Sequence, residues 1–426
     1  CRRQSFDEPV NMREVHRFIA DTIYQSDRFE PLVKRILERK LPPSGRKVAV
    51  AGAGPTGLTA AFYLAMLGHD VTVFDEHSEA GGMLRFAIPE YRLPKSVLRR
   101  ELDLIEAVGV KMRFNTRVGA DLPLNDLAEQ FDAVFIAIGT WKESWLYLAG
   151  TEMKSVYPAL EFLEAVARHE EIVVGSRVAI IGGGNAAIDS ARTALRMGAQ
   201  PIILYRRERK DMPAIDEEIQ AAEEEGVRFV FLAAPHRILG DAKGDVKAVE
   251  IVKTRLGEYD KSGRRRPILT DEVQRFECDS VILAVGETFD QDFCRASGLE
   301  LKESGTMIVD HYTFETSRPN FYAGGDVITG ASNVSNAMGC GKQAALNIDE
   351  RLMGERRWEK LFPQFEYGSQ TPPEPRLSRR HAARPMQASS RMHSNEEVVA
   401  GLSPQEALEE CRRCLRCDLR SAVSAR

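Results

Sequence analysis

Two glycine-rich turns carry the chemistry that is legible in this 426-residue sequence. Gly52-Ala53-Gly54-Pro55-Thr56-Gly57 lies between the short run Val48-Ala49-Val50-Ala51 and an apolar stretch at helical spacing. In such a turn the first glycine makes the bend and the second lets the backbone approach a pyrophosphate. The third lets helix and strand pack closely, and the positive helix N-terminus attracts the anion. The next strand should end in an acid that accepts hydrogen bonds from ribose hydroxyls, and Asp75 stands 18 residues after Gly57. That combination fits FAD or NAD. Gly182-Gly183-Gly184-Asn185-Ala186-Ala187 repeats the pattern with Ala187 in the third place, a replacement the pattern tolerates. Its following strand ends in Tyr205-Arg206-Arg207-Glu208-Arg209 instead of an acid. A cationic fork of Arg206 and Arg207 favours a 2′-phosphate, hence NADPH over NADH. Glu208 keeps NADH open, and simple solvation of the arginines is the alternative.

Further glycines assign FAD to the first turn. Gly81-Gly82-Met83-Leu84-Arg85 follows Asp75 closely, where backbone can approach a flavin dinucleotide. Gly324-Gly325-Asp326 precedes a helix beginning near Asn333, so a second turn and a second positive helix end can meet the ribityl-phosphate side of the flavin. A carboxylate at Asp326 suits ribityl hydroxyls. The expected FAD positions are therefore Gly52, Gly54, Gly57, Asp75, Gly82, Leu84, Arg85, Gly325, Asp326 and Asn333. Gly182, Gly184, Asn185, Ala187, Arg206 and Arg207 are expected to hold the nicotinamide dinucleotide.

These turns need two sheets to carry them. Val48 to Asp75 and Val178 to Arg207 each read strand, turn, helix, strand, and each is followed by D-x-V-x-x-A-x-G, as Asp132-Ala133-Val134 onward and Asp279-Ser280-Val281 onward. The expected fold is α/β with two Rossmann-like dinucleotide-binding domains, the NAD(P)H domain inserted in a split FAD domain. Residues 1–45 form a helical N-terminal segment, 46–150 and 287–355 the two parts of the FAD domain, and 151–286 the NAD(P)H domain. Residues 356–426 form a tail carrying a cysteine motif and directed to a partner. Within it, 366–393 is rich in Pro, Arg and Ser and is expected to be extended or mobile. Ser403-Pro404-Gln405-Glu406 signals a helix start.

Composition narrows the class. A net charge of −5 offers no field for a polyanion, so nucleic acid is not expected as a partner. No apolar run is long enough to span a bilayer, and CRRQSFDEPV has no apolar signal core. Seven cysteines are too few for a disulfide scaffold, which points to a reducing, cytoplasmic setting. Residue 1 is Cys, so the natural chain is expected to extend upstream.

In this order, the two turns, the two D-x-V-x-x-A-x-G strands and the Ala323-Gly324-Gly325-Asp326 turn resemble the two-dinucleotide-domain flavoproteins related to thioredoxin reductase. The strings GGMLRFAIPEYRLP (from Gly81), YRRERKDMPAIDEEIQAAEEEGV (from Tyr205) and SGRRRP (from Ser262) are similar to the small subunit of NADPH-dependent glutamate synthase and its relatives. The resemblance covers about residues 1 to 350. It implies FAD in the outer domain, NAD(P)H in the inserted one, and electron transfer from flavin to iron-sulfur clusters and a partner subunit of a hetero-oligomer. In that family an N-terminal cysteine-rich domain holds the clusters, and here only Cys1 stands at its edge. Cys411, Cys414 and Cys417 have C-x2-C-x2-C spacing, which the glutamate synthase subunit does not lead one to expect. Similar C-terminal motifs occur in flavoprotein subunits joined to hydrogenases, formate dehydrogenases or tungsten and molybdenum enzymes. Three thiolates want a fourth for a [4Fe-4S] cluster; Cys1 or a partner could supply it, and zinc, free thiols or a metal-free relic stay open.

The reaction expected is hydride transfer between NAD(P)H and FAD, then single-electron exchange with a partner metal centre. No catalytic side chain is named, because the cofactors perform that chemistry. A disulfide reductase would need a C-x-x-C facing the flavin, and no cysteine lies between Cys1 and Cys278. A flavin oxidase or monooxygenase and a structural flavoprotein subunit are the other readings. Trp358, Phe362, Phe365 and Tyr367 are expected either to dock on a partner or to wrap the chain's own FAD domain.

Overall fold

The structure is a computed structural model, and it describes residues 1–144, 146–260, 263–361, 374 and 376–417. Two five-stranded sheets, wholly parallel, form its frame. In spatial order the first contains Phe321–Ala323, Ala133–Ile136, Lys47–Ala51, Asp70–Phe74 and Lys111–Arg113. The second contains Val156–Pro158, Ser280–Ala284, Arg177–Gly182, Gln200–Tyr205 and Arg228–Phe231. In each, the strand with the D-x-V-x-x-A sequence lies directly beside the strand that feeds the glycine turn. These central strands are continuous apolar runs because both faces of each sheet are covered, the second sheet by helices on one side and by the strands Ala233–Gly240 and Val246–Tyr259 on the other, leaving no solvent side for polar alternation. Helices Pro55–Met66 and Val334–Met353 pack on the first sheet, and Asn185–Arg196 on the second.

A short antiparallel ribbon, Lys142–Glu143 against Glu287–Thr288, carries the chain out of the first sheet region and back. A third sheet, antiparallel, is built from Ala233–Gly240, Val246–Tyr259 and Arg265–Glu277. Sequence reading missed it, although the DAKGD turn and the alternation within VKAVEIVKT carried its signal. No described helix is long and apolar enough to cross a membrane.

The tail departs from expectation. Phe362, Phe365 and Tyr367 lie outside the described residues, but Trp358 packs against the core of the first sheet and Leu361 is buried in it. Instead of running extended throughout 366–393, the chain pairs Arg384–Pro385 with Val399–Ala400 and forms a helical turn at Ala388–Arg391. The helix Pro404–Arg412 begins with the Ser403–Glu406 capping box its sequence announces. It packs against the N-terminal helix Met12–Tyr24, with Asn11 N donating to Glu410 and Arg3 Nη1 to the Arg413 carbonyl at 2.6 Å.

One buried ionic network ties this tail to both parallel sheets. Arg92, from the first sheet's excursions, meets Asp189 on the helix of the second turn at 2.6 Å. On the same helix Arg192 and Arg196 bond Glu225, at 2.6 and 2.8 Å, and both guanidinium groups lie over the ring of buried Tyr91. Arg391 of the tail joins Glu225 at 3.0 Å, Arg196 Nη2 donates to the Arg391 carbonyl, and Val398 N donates to the Tyr91 carbonyl. The buried charges of this network are each met by an opposite charge, as burial of ions demands.

Candidate functional site

Both turns sit where a strand's C-terminal end meets a helix N-terminus. Gly52 has φ +109°, a region that disfavours side chains, and a Cβ on it would strike the Ala137 carbonyl. A Cβ on Gly57 would overlap the Gly52 carbonyl, so helix and strand pack as close as backbone allows. Nothing lies within 4 Å of a Cβ built on Gly54. Open space therefore faces the helix end at the second glycine, where a ligand's anionic group would enter. Gly82 packs against Gly54, bringing the segment from Gly81 to Arg85 to this turn, with Gly81 N donating to the Ala53 carbonyl at 2.9 Å. The second turn repeats the geometry: Gly182 against the Ala284 carbonyl, open space at Gly184, and Ala187 buried beneath.

Asp75 ends its strand beside the first turn, and its carboxylate already accepts from the N–H groups of Ala53 and His77. It borders a cavity of about 520 Å³ that also includes Gly52, His77, Thr116, Gly139 and Trp141. His77 stacks on Phe86 at 4.8 Å and lies 4.6 Å from the Trp141 ring, giving the cavity an aromatic wall suited to a flat base. Burial opposes protonation of His77, but the carboxylates of Asp75, Glu164 and Glu76 outweigh it and raise its pKa. Neither aromatic was singled out from sequence, since their meeting depends on the return of the chain at 141.

The remaining expected residues fall as follows. Gly325 packs its backbone on Thr56, and the Asp326 carboxylate accepts from Ser332 Oγ at 2.8 Å. Asn333 caps the helix Val334–Met353 by accepting from Asn336 N. Leu84 packs on the first core, and Arg85 donates to the Ala80 carbonyl and pairs with Glu79. Asn185 accepts from Ile215 N. Arg206 is exposed, whereas Arg207 is buried and engaged by Asp260, so the two do not present a matched fork.

The crossing ribbon adds a feature unforeseen from sequence. Glu143 and Glu287 lie directly opposite each other. Burial pushes Glu143 up to about 8, with Glu161 and Glu287 adding to the effect, although it also accepts from Leu160 N. Burial, then the charge of Asp326, pushes Glu287 up to about 7. A carboxyl raised in the folded state keeps a proton that the unfolded chain releases, so stability is lost as pH rises from about 4.5 through about 8. Glu143→Gln, which keeps an acceptor for Leu160 N, is accordingly expected to raise the melting temperature at pH 8 and leave it unchanged at pH 4.5, as calorimetry at the two pH values checks.

The cysteines are not gathered. None of the seven is in a disulfide; Cys278 and Cys294 are buried, which pushes each thiol up to about 12, and they are unsuited to exchange chemistry. The fold does bring the Cys1 end of the chain to the Arg413 region, yet among the described residues no three His, Cys, Asp or Glu side chains lie together as metal ligands. As placed, Cys1, Cys411, Cys414 and Cys417 do not form a ligand set.

Two parallel sheets, each with a glycine turn between strand and helix, give the chain the frame of a protein with two dinucleotide-binding-type domains. Residues 46–341 match the pyridine nucleotide-disulphide oxidoreductase family, to which this chain belongs. Membership implies binding of FAD and a pyridine nucleotide. The chain is 37% identical to the NADP(+)-dependent formate dehydrogenase subunit beta of Moorella thermoacetica, over 98% of this chain and 63% of that one. It is 35% identical to the Escherichia coli glutamate synthase [NADPH] small chain, over 80% of this chain and 74% of the relative. Among solved structures, Mycobacterium tuberculosis FprA in complex with NADPH aligns over 74% of this chain and 84% of its own, with TM-score 0.61 and 20% identity, a likeness of fold.

Proposed function

We propose that the chain is the flavoprotein subunit of a larger oxidoreductase, accepting hydride from NADPH and exchanging single electrons with a metal-containing partner. In this reading FAD lies on the first sheet and NADPH on the second. When bound, these cofactors supply hydride and one-electron chemistry that no side chain here could perform. The observation that carries the reading is the duplicated turn with unlike strand ends, Asp75 in one copy and Arg206 in the other. Asp75, positioned by Ala53 and His77, keeps a lone pair on Oδ2 for a ribose hydroxyl. Asp326 and Gly325 would serve the ribityl side, and the pairs of Arg92 with Asp189 and Glu218 would hold the two sheets in register so that the rings can stack and water is excluded.

Two relatives named as a beta subunit and a small chain support a partner for this chain. Alignment with the formate dehydrogenase subunit over nearly the whole sequence favours an assembly of that kind over a glutamate synthase. An iron-sulfur cluster at Cys411, Cys414 and Cys417 would require these thiols to rearrange around a ligand from Cys1 or the partner.

The deciding experiment is an anaerobic titration of the flavin's visible band with NADH and NADPH in separate cuvettes. Bleaching by NADPH is expected; no bleaching by either, with flavin bound, overturns the reading. Arg206→Ala is expected to raise KM for NADPH about thirtyfold, the loss of a charge-assisted contact, and to leave KM for NADH unchanged.

A further inference from the structure

Lys95 breaks a local rule. It opens the helix Lys95–Ala107, a position where the positive helix end favours an acid and disfavours a cation. Glu90 supplies the acid instead, its Oε1 accepting from Lys95 N at 2.9 Å. The lysine side chain turns back along the preceding segment, where Nζ donates to the carbonyls of Leu84 at 2.8 Å, Ile88 at 2.6 Å and Leu93 at 3.4 Å. Three acceptors match the three hydrogens of an ammonium. Burial pushes Lys95 down to about 8; Glu90 and Asp189 oppose the fall, and Arg85 adds to it. An ammonium whose pKa falls on folding costs the fold stability below that pH, so the charge is not there to hold the fold together.

What it holds is the segment 81–94. One end of that segment lies at the first glycine turn, with Gly82 against Gly54 and Leu84 on the core of the first sheet. The other end grips the helices of the second sheet: Arg92 pairs with Asp189 and Glu218, and the ring of Tyr91 lies against Arg192 and Arg196. Asp189 stands one turn into the helix Asn185–Arg196, whose start forms the second glycine turn. We infer that Lys95 is a positioning residue for hydride transfer: it ties the flavin-facing end of segment 81–94 to the end that grips the nicotinamide helix, and so sets how the two rings meet. The inference rests on the FAD and NADPH reading proposed above and adds to it a residue outside both glycine turns. Deprotonation leaves an amine with two hydrogens for three carbonyls and a lone pair facing one of them, so the tie slackens as the pH rises through about 8.

The test uses the full chain with its flavin. Lys95→Met keeps the length of the side chain and removes its charge; it is expected to retain flavin and to bind 2′,5′-ADP as the unaltered chain does, since neither glycine turn changes. Flavin reduction by NADPH is expected to slow at least about tenfold, and the long-wavelength charge-transfer absorbance of NADP+ against reduced flavin, a signature of ring stacking, to be lost. In the unaltered chain that absorbance is expected to fall as the pH rises through about 8. Lys95→Arg, whose charge does not titrate, should abolish the fall, and Glu143→Gln, which removes another group titrating there, should keep it. A Lys95→Met chain that reduces and stacks as the unaltered chain does overturns the inference alone, whatever its melting temperature. If that variant loses flavin or does not fold, the unaltered chain decides: an absorbance that stays constant across about pH 8 overturns the inference, and a fall that Lys95→Arg removes upholds it. If neither NADH nor NADPH bleaches the bound flavin of the unaltered chain, the reading above falls and takes the inference with it.

Discussion

Glu225→Ala is expected to destabilise the protein by about 3 to 5 kcal/mol, the largest stability effect of any single change considered, read from the shift in urea midpoint. Glu225 is fully buried, and it is the shared acceptor for Arg192, Arg196 and Arg391, which come from a helix of the second sheet and from the tail. Truncation leaves three buried cations around a void. Burial alone would raise this carboxyl, but the hydrogen bonds from Arg192 and Arg196 hold it below its ordinary 4.5. Its contribution is therefore present above that value and is lost as the pH falls through the lower folded value. A melting temperature that Glu225→Ala leaves unmoved at neutral pH would show that the network does not bind the tail to the sheets.

Gly54→Ala is expected to abolish flavin retention while leaving the melting temperature of the flavin-free protein unchanged. No protein atom lies within 4 Å of the added methyl, so the fold accommodates it. The methyl instead occupies the open space before the helix Pro55–Met66, where the pyrophosphate would lie against the backbone. Loss of visible absorption in the purified variant, and FAD affinity weakened at least about a hundredfold, would check this. Gly57→Ala makes the contrast, because its methyl meets the Gly52 carbonyl and disturbs packing as well as binding. Full flavin retention by Gly54→Ala would place the pyrophosphate elsewhere.

The parts legible in the sequence are those whose causes are local. Gly52, Gly54 and Gly57 act on one another within six residues, and the Ser403–Glu406 cap within four, so spacing alone carries them. Arg207 shows where that stops. Side by side with Arg206 in sequence, it looks like half of a fork, but its partner Asp260 lies 53 residues away, and that distant carboxylate decides which way it turns. The same holds for Glu143 and Glu287: burial by the crossing ribbon sets their proton affinity, and no pattern near either residue records it. The tail misled for another reason. Its Pro, Arg and Ser residues bury little apolar surface, yet Arg391 is held by ion pairs and hydrogen bonds, which composition does not register.

The tail's attachment also orders the events of folding. Arg3 bonds the Arg413 carbonyl across 410 positions, and Arg391 reaches Glu225 across 166. A growing chain can close its parallel sheets from segments already made, but the helix Met12–Tyr24 gains its partner Pro404–Arg412 only after nearly all of the described chain has been synthesised. Until then Val10 and Val15, buried in the finished molecule, stay open to water and to wrong partners. Contacts of such span make this step slow, so the segment around Val10 and Val15, made before both sheets, becomes native after them.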